Sequence, residues 1–172
     1  MMEHQAEVNS KISCVTILPL STSPATVGSV IETSLIRAVE QTEAGVIVTD
    51  TNGIITYANP AGARMTGYEV SELLGNSPRL FKSGQQDPTF YTDLWETVKR
   101  GAVWRGELIN CRKNGSRYIE KMTISPVSDA TSGIISYIAI KEDITEYRSA
   151  EQARQLLASI VTSSTEDRKS VV

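Results

Sequence analysis

The chain has 172 residues and a formal net charge of −3, which suits one domain with flanking segments and offers no basic stripe for DNA or RNA. Nucleic acid is therefore not an expected partner. Two cysteines, Cys14 and Cys111, and a single histidine, His4, supply neither a disulfide framework nor a metal site, and a reducing cytoplasm is the expected location.

Residues 1–30 read as a flexible N-terminal segment. Their one apolar run, Cys14 to Leu20, is interrupted by Pro19 and is far shorter than the roughly 20 residues of a spanning helix, so no membrane contact is expected. Ser21 to Thr26 reads as spacer. Ile31, Leu35, Ile36 and Val39 then recur at helical spacing and predict an amphipathic helix over 31–42. Ala44 to Asp50 and Ile54 to Ala58 flank Asn52-Gly53, a hairpin signal because both residues tolerate positive φ. Asn59-Pro60 starts a short helix ending by Gly67, and Glu69 to Leu74 forms another that stops at Gly75. Residues 76–86 carry Pro, Gly and Ser without a period and read as a loop. Asp87-Pro88 opens a helix whose apolar face is Phe90, Leu94, Trp95 and Val98.

Three further strands follow. Trp104 to Cys111 and Tyr118 to Val127 flank Asn114-Gly115, and Gly133 to Lys141 completes a meander. Strands at both ends with helices between predict an α+β fold, one antiparallel sheet with its helices on one side. Asp143 and Glu146 have capping-box spacing. Beyond them Ile144, Tyr147, Ala150, Ala153, Leu157 and Val161 recur at threes and fours, as in a helix that pairs with a partner. Ile134, Ile138 and Ile140 alternate toward the outer face of the last strand, and the 31–42 helix, of this chain or a second, is the expected cover.

Together the stretches GVIVTDTNGIITYANPAGARMTGYEVSELLGNSP, LWETVKRGAVWRGELINCRKNGSRYIEKMTISPVSD and GIISYIAIKEDIT resemble a PAS domain with its C-terminal PAC segment, over residues 33–146. The resemblance implies a five-stranded antiparallel sheet in the order 2-1-5-4-3, cupping a pocket closed by short helices. An N-terminal cap helix precedes it, and a C-terminal signalling helix follows. The expected domains are thus a flexible segment 1–30, a sensory domain 31–146, and a signalling helix with a truncated linker, 147–172, leading toward a possible second PAS domain. PAS domains sense ligands, redox state, oxygen or light, and some only dimerise. The resemblance further implies a homodimer through the N- and C-terminal helices and a downstream histidine kinase or cyclase effector.

Strand alternation puts Leu108 and Asn110 on one face. A two-residue turn would set Asn110 opposite Ile119, and a three-residue turn with a glycine bulge would set it opposite Glu120. In the second register an amide and a carboxyl lie side by side in an apolar cup, where an unpaired polar group costs about 1–3 kcal/mol and a heteroaromatic edge would supply partners. The positions of Asn110 and Glu120 are similar to the flavin-binding amides of light-oxygen-voltage domains. The photoreactive cysteine of those domains aligns with Pro78, so adduct chemistry is not expected. Leu94-Trp95, Trp104-x-Gly106 and Asn110-x-Arg112-Lys113 resemble the FAD-binding, redox-sensing PAS domains of nitrogen-fixation regulators and methane-oxidation sensors. In that subgroup the residues matching Trp95 and Asn110 line the flavin site.

The candidate cofactor residues are therefore Asn110, Trp95, Glu120, Trp104, Leu108 and Lys141, with FAD as the expected ligand and FMN or none as alternatives. Each has a plainer reading. Trp95 at an apolar helical position is also ordinary core. Trp104, at a strand start, is structural or a lid at the rim. Glu120 faces solvent in one register. Lys141 lies on the inward face with Tyr137 and Ala139 and must snorkel, pair with a carboxylate such as Glu120, or favour an anionic ring. No catalytic constellation or metal spacing is present, so an enzyme is not expected. The rival functions are a ligand-free dimerisation domain and a small-metabolite sensor, the latter with Arg79, Arg105 and Lys141 as candidates.

Overall fold

A computed structural model describes residues 24–166, with side chains described from 28 to 160. The expected flexible segment up to residue 23 and the tail from 167 lie outside the described residues. The first helix, α1 (Pro24–Gln41), begins seven residues before the expected Ile31, because Pro24, read as spacer, fits the first turn of a helix. The strands are β1 (Gly45–Thr49), β2 (Ile55–Ala58), β3 (Trp104–Cys111), β4 (Arg117–Asp129) and β5 (Gly133–Asp143). They form one antiparallel sheet in the order β2-β1-β5-β4-β3. Between β2 and β3 lie α2 (Pro60–Thr66), α3 (Val70–Leu73) and α4 (Pro88–Lys99), and α5 (Thr145–Glu166) follows the sheet. The expected loop 76–86 contains a short 3-10 helix, Pro78–Phe81, capped by the Ser77 hydroxyl.

Asn59 does more than cap α2. It is fully buried, and its Oδ1 accepts from Gly62 N and Val46 N while its Nδ2 donates to the carbonyls of Val39 and Ala44. One amide thereby joins the end of α1, the start of β1 and the first turn of α2. Gly45 and Gly62 let the same elements close: a Cβ on Gly45 would stand 3.1 Å from Gly62 Cα and 2.9 Å from Met65 Cε.

Two registers differ from the sequence expectation. At the β3–β4 turn, Cys111 pairs with Arg117, so five residues form the loop and Asn110 sits opposite Tyr118, not Ile119 or Glu120. The loop is longer because Lys113 N donates to Thr66 O, tying it to α2, while Gly115 takes φ 85°. In β5, Val127 pairs with Ser136 but Ser128 with Ile134, which leaves Ile135 as a bulge. The bulge reverses side-chain parity: Ile134 packs on the inner core and Ile135 is exposed, whereas Ile138 and Ile140 keep the outward positions expected of them.

Large apolar side chains stay exposed both in the outer row and in the second half of α1. Leu35 and Ile36 are 61% and 56% exposed, and Ile140 is 47% exposed. On α5, Tyr147 and Leu157 are exposed as well. The capping box expected at Asp143 and Glu146 is replaced by another arrangement. Asp143 Oδ1 accepts from Thr145 N and the Thr145 hydroxyl, its Oδ2 pairs with Arg112, and Ile119 N donates to Thr145 Oγ1. Among the described residues, no helix is long and apolar enough to cross a membrane.

Candidate functional site

The inner face of the sheet carries two apolar clusters. One is Leu94, Val98, Trp104, Leu108, Met122 and Tyr137; the other is Ile47, Ile55, Ala58, Leu73 and Phe81. A cavity lies among them, lined by members of both. Its volume is about 90 Å3. Apolar and aromatic side chains make up most of the lining of this slot. The segment after the 3-10 helix is fastened to β3 at the cavity: Lys82 forms a backbone bridge with Asn110, and the Ser83 hydroxyl donates to Ile109 O.

At one end of the slot four polar side chains converge. Lys141 and Glu120 are 3% and 0% exposed, and Lys141 Nζ lies 3.1 Å from Glu120 Oε1 and 3.4 Å from Oε2. Tyr118 OH donates to Glu120 Oε2 at 3.0 Å, and Asn110 Nδ2 donates to the same oxygen at 3.3 Å. Of the three fates open to a buried Lys141, pairing is the one observed. The ammonium also stands 4.9 Å from the centre of the Phe81 ring, whose π face attracts a cation. Burial pushes the Tyr118 phenol far above its ordinary range, with the Glu120 charge adding to it. Tyr91 is raised for the same two reasons.

Register explains the convergence. Asn110 and Tyr118 are direct partners, so they share a face, and Glu120 lies two residues beyond Tyr118 on that face. The shift by two residues from the three-residue-turn register preserves parity, so Asn110 and Glu120 still meet, now diagonally. Lys141 pairs with Met122 on the neighbouring strand and is brought beside Glu120.

Of the six sequence candidates, Asn110, Glu120, Lys141, Leu108 and Trp95 line the cavity, and Trp104 is not among the lining residues. The Trp104 ring folds back over Gly106, where a Cβ would stand 2.5 Å from the ring, stacks edge-on against Phe90, and donates from Nε1 to Asp93 Oδ2 at 3.2 Å. That packing accounts for Trp104-x-Gly106 without a ligand. Trp95 has one edge on the cavity and another 3.3 Å from the Cβ position of Gly53, and it meets Tyr137 edge-on. Pro78 lines the slot, and Cys111, on the opposite strand parity to Asn110, does not. Tyr118 and Tyr91 were not among the candidates. Their signals were parity with Glu120 on one strand and a one-turn offset from Trp95 on one helix.

Beyond Trp95 and Tyr91 the slot continues into a wider groove lined by Arg79, Lys82, Lys99, Asn52 and Glu96. Lys82 lies 3.7 Å above the Tyr91 ring.

The order of strands, the slot and the short helices over it are those of one family, and residues 43–146 match the PAS domain. The chain belongs to the PAS domain family. It is 38% identical over 114 residues to a nitrogen fixation regulatory protein of Klebsiella pneumoniae, a stretch that is 66% of this chain and 23% of that protein. It is 31% identical over 99 residues to the aerotaxis receptor of Escherichia coli, covering 57% of this chain and 19% of the receptor. Among solved structures, an RNA-binding light-oxygen-voltage receptor superposes with a TM-score of 0.69 at 27% identity, over 88% of this chain and 43% of that one. The chain spans less than a quarter of these curated relatives. Its PAS domain is a sensory module of the kind found in signalling proteins.

Proposed function

We propose that this PAS domain binds FAD and reports redox state or oxygen from the cytoplasm, acting as a homodimer on a histidine kinase or cyclase effector. The observation that carries the reading is the polar end of the slot. Lys141 Nζ, Glu120 Oε1 and Asn110 Nδ2 converge at the cavity, and each keeps bonding capacity, two donors and one acceptor. A flavin presents the complementary edge, carbonyl, N–H, carbonyl, on a flat ring system. The adjoining groove with Arg79, Lys82 and Lys99 suits a diphosphate, which favours FAD over FMN. When bound, the flavin supplies reversible two-electron chemistry. The protein's own part is to fix the ring edge, to exclude water with Leu94, Leu108 and Met122, and to hold a charged pair beside the edge whose electron density changes. Pro78 in the slot speaks against a thiol adduct and hence against light as the signal. The names of the regulator and the aerotaxis receptor fit an oxygen-linked input.

The test is an absorption spectrum of the purified protein from 300 to 600 nm, before and after anaerobic dithionite, with the released cofactor identified by mass. Flavin bands that bleach on reduction and a released mass of FAD are expected. A protein that stays colourless after incubation with FAD and FMN overturns the reading in favour of a ligand-free dimerisation domain. Bands that bleach under blue light alone would make light the signal.

A further inference from the structure

One buried side chain links the pocket pair to the cap of α5, alongside the direct strand pairing of Glu120 with Asp143. Tyr118 is 1% exposed; its hydroxyl donates to Glu120 Oε2, and its ring face carries the Arg112 guanidinium at 4.4 Å. Arg112 in turn pairs with Asp143, whose other oxygen holds the first amide of α5, and also donates to Met65 O at the end of α2. The strand segment beside Tyr118 is tied to the same place, since Ile119 exchanges hydrogen bonds with Thr145 and Ile144.

We propose that Tyr118 couples the charge of the Glu120–Lys141 pair to the attachment of α5. This goes beyond the flavin reading, because the route consists only of protein groups and is present whatever fills the slot. The physical argument has two steps. A phenol that donates to a carboxylate is polarised, so its ring face is more negative and holds a cation more firmly than the same ring donating to a neutral acceptor. Arg112 divides its attraction between that ring and Asp143. A change in charge or partners at Glu120 therefore alters how Arg112 is placed, and with it the Asp143 cap. The chain of contacts is contiguous and buried at its pocket end, which limits solvent screening there.

The test is a mutant cycle read by amide hydrogen exchange over residues 145–150 in the full chain, with no ligand added. E120Q/K141Q removes both charges at nearly constant volume and leaves no lone buried ion. It is expected to change exchange of those amides by about five-fold or more, as coupling energies between contacting residues imply. In the Y118F background, where ring and packing remain but the hydroxyl is gone, the same double change is expected to have less than about half that effect on the logarithmic scale. If E120Q/K141Q does not fold, N110A, which removes one donor to Glu120 Oε2, takes its place in the cycle. Equal effects with Tyr and Phe at position 118, or no effect on α5 from either pocket change, overturns the proposal. A colourless protein defeats the flavin reading and leaves this cycle intact, so the two failures are separable.

Discussion

Asn59 and Glu120 are both fully buried polar residues of one domain, and they are built in opposite ways. The Asn59 side chain is bonded by backbone groups, on both its oxygen and its nitrogen. Those partners are fixed by the elements they belong to, so the node has one arrangement. Glu120's partners are side chains, those of Lys141, Tyr118 and Asn110, which can rotate, change partners or receive a ligand. A buried polar group satisfied by backbone is architecture. One satisfied by charged and aromatic side chains that line a cavity retains a choice of partners, and choice is what a sensor needs.

The sharpest way to break the comparison is to remove half of each node. K141M leaves the Glu120 carboxylate buried without its cation, and breaking such pairs typically costs about 3–5 kcal/mol. Urea denaturation of the variant should show a loss near the lower end, because Tyr118 and Asn110 still donate to Glu120. A loss below about 1 kcal/mol would mean that the pair contributes little to the native state. N59A comes next, at about 2–4 kcal/mol, since it strands backbone groups of α1, β1 and α2 that have lost their partner. The same denaturation series measures it, and near-wild-type stability would show that water replaces the amide freely.

Removing both members of the pair separates the nodes further. E120Q/K141M has no unpaired charge, and replacing a buried ion pair by groups of similar volume is often close to neutral, so a change of about 1 kcal/mol or less is expected in the same denaturation series. No second substitution offers Asn59 such a rescue, because its partners are main chain. If E120Q/K141M were as unstable as K141M alone, the pocket node would be as rigidly specified as Asn59, and the distinction would fall. On the flavin reading the double variant keeps its fold and loses the cofactor's absorption bands.

How far the sequence revealed these two nodes follows from the same difference. Asn59 was legible as a helix cap from Asn-Pro alone, because capping is local; its hold on Val39 and Ala44 was not, since nothing in a dipeptide states what packs behind it. The five strands, their order and the inward set Tyr137, Ala139 and Lys141 follow from alternation and from the family resemblance. Alternation failed where the chain inserts a residue. Ile135 at the β5 bulge turned Ile134 inward, and the Arg112–Ser116 loop moved Asn110 opposite Tyr118. Tyr118 shares the face of Glu120 by its two-residue spacing, but only the five-residue loop sets it opposite Asn110, and the turn signal did not state that loop length. Trp104 was read both as a cofactor candidate and as a structural residue, and it lies outside the cavity lining. A tryptophan near a candidate pocket attracts a ligand role, but Gly106 two residues on gives it a surface to lie against.

The smallest effect tests the outer end of the polar chain, at Asp143. Burial raises the pKa of this carboxyl, but the hydrogen bonds from Thr145 and the Arg112 guanidinium outweigh it and hold the pKa below the ordinary 3.8. The folded state therefore binds this proton less readily than the unfolded chain. Its contribution is complete above about pH 4 and is lost as the pH falls below that value toward the depressed folded pKa. Because Asp143 is partly exposed, global stability should hardly register the change, while the first turn of α5 should fray. Amide exchange at residues 145–150, corrected for its intrinsic pH dependence, is expected to quicken between pH 4 and 3 in the wild type and to stay flat in D143N. Identical profiles for the two proteins would mean that the Arg112–Asp143 contact does not hold the helix, and the route from the pocket would then end at the edge of the sheet.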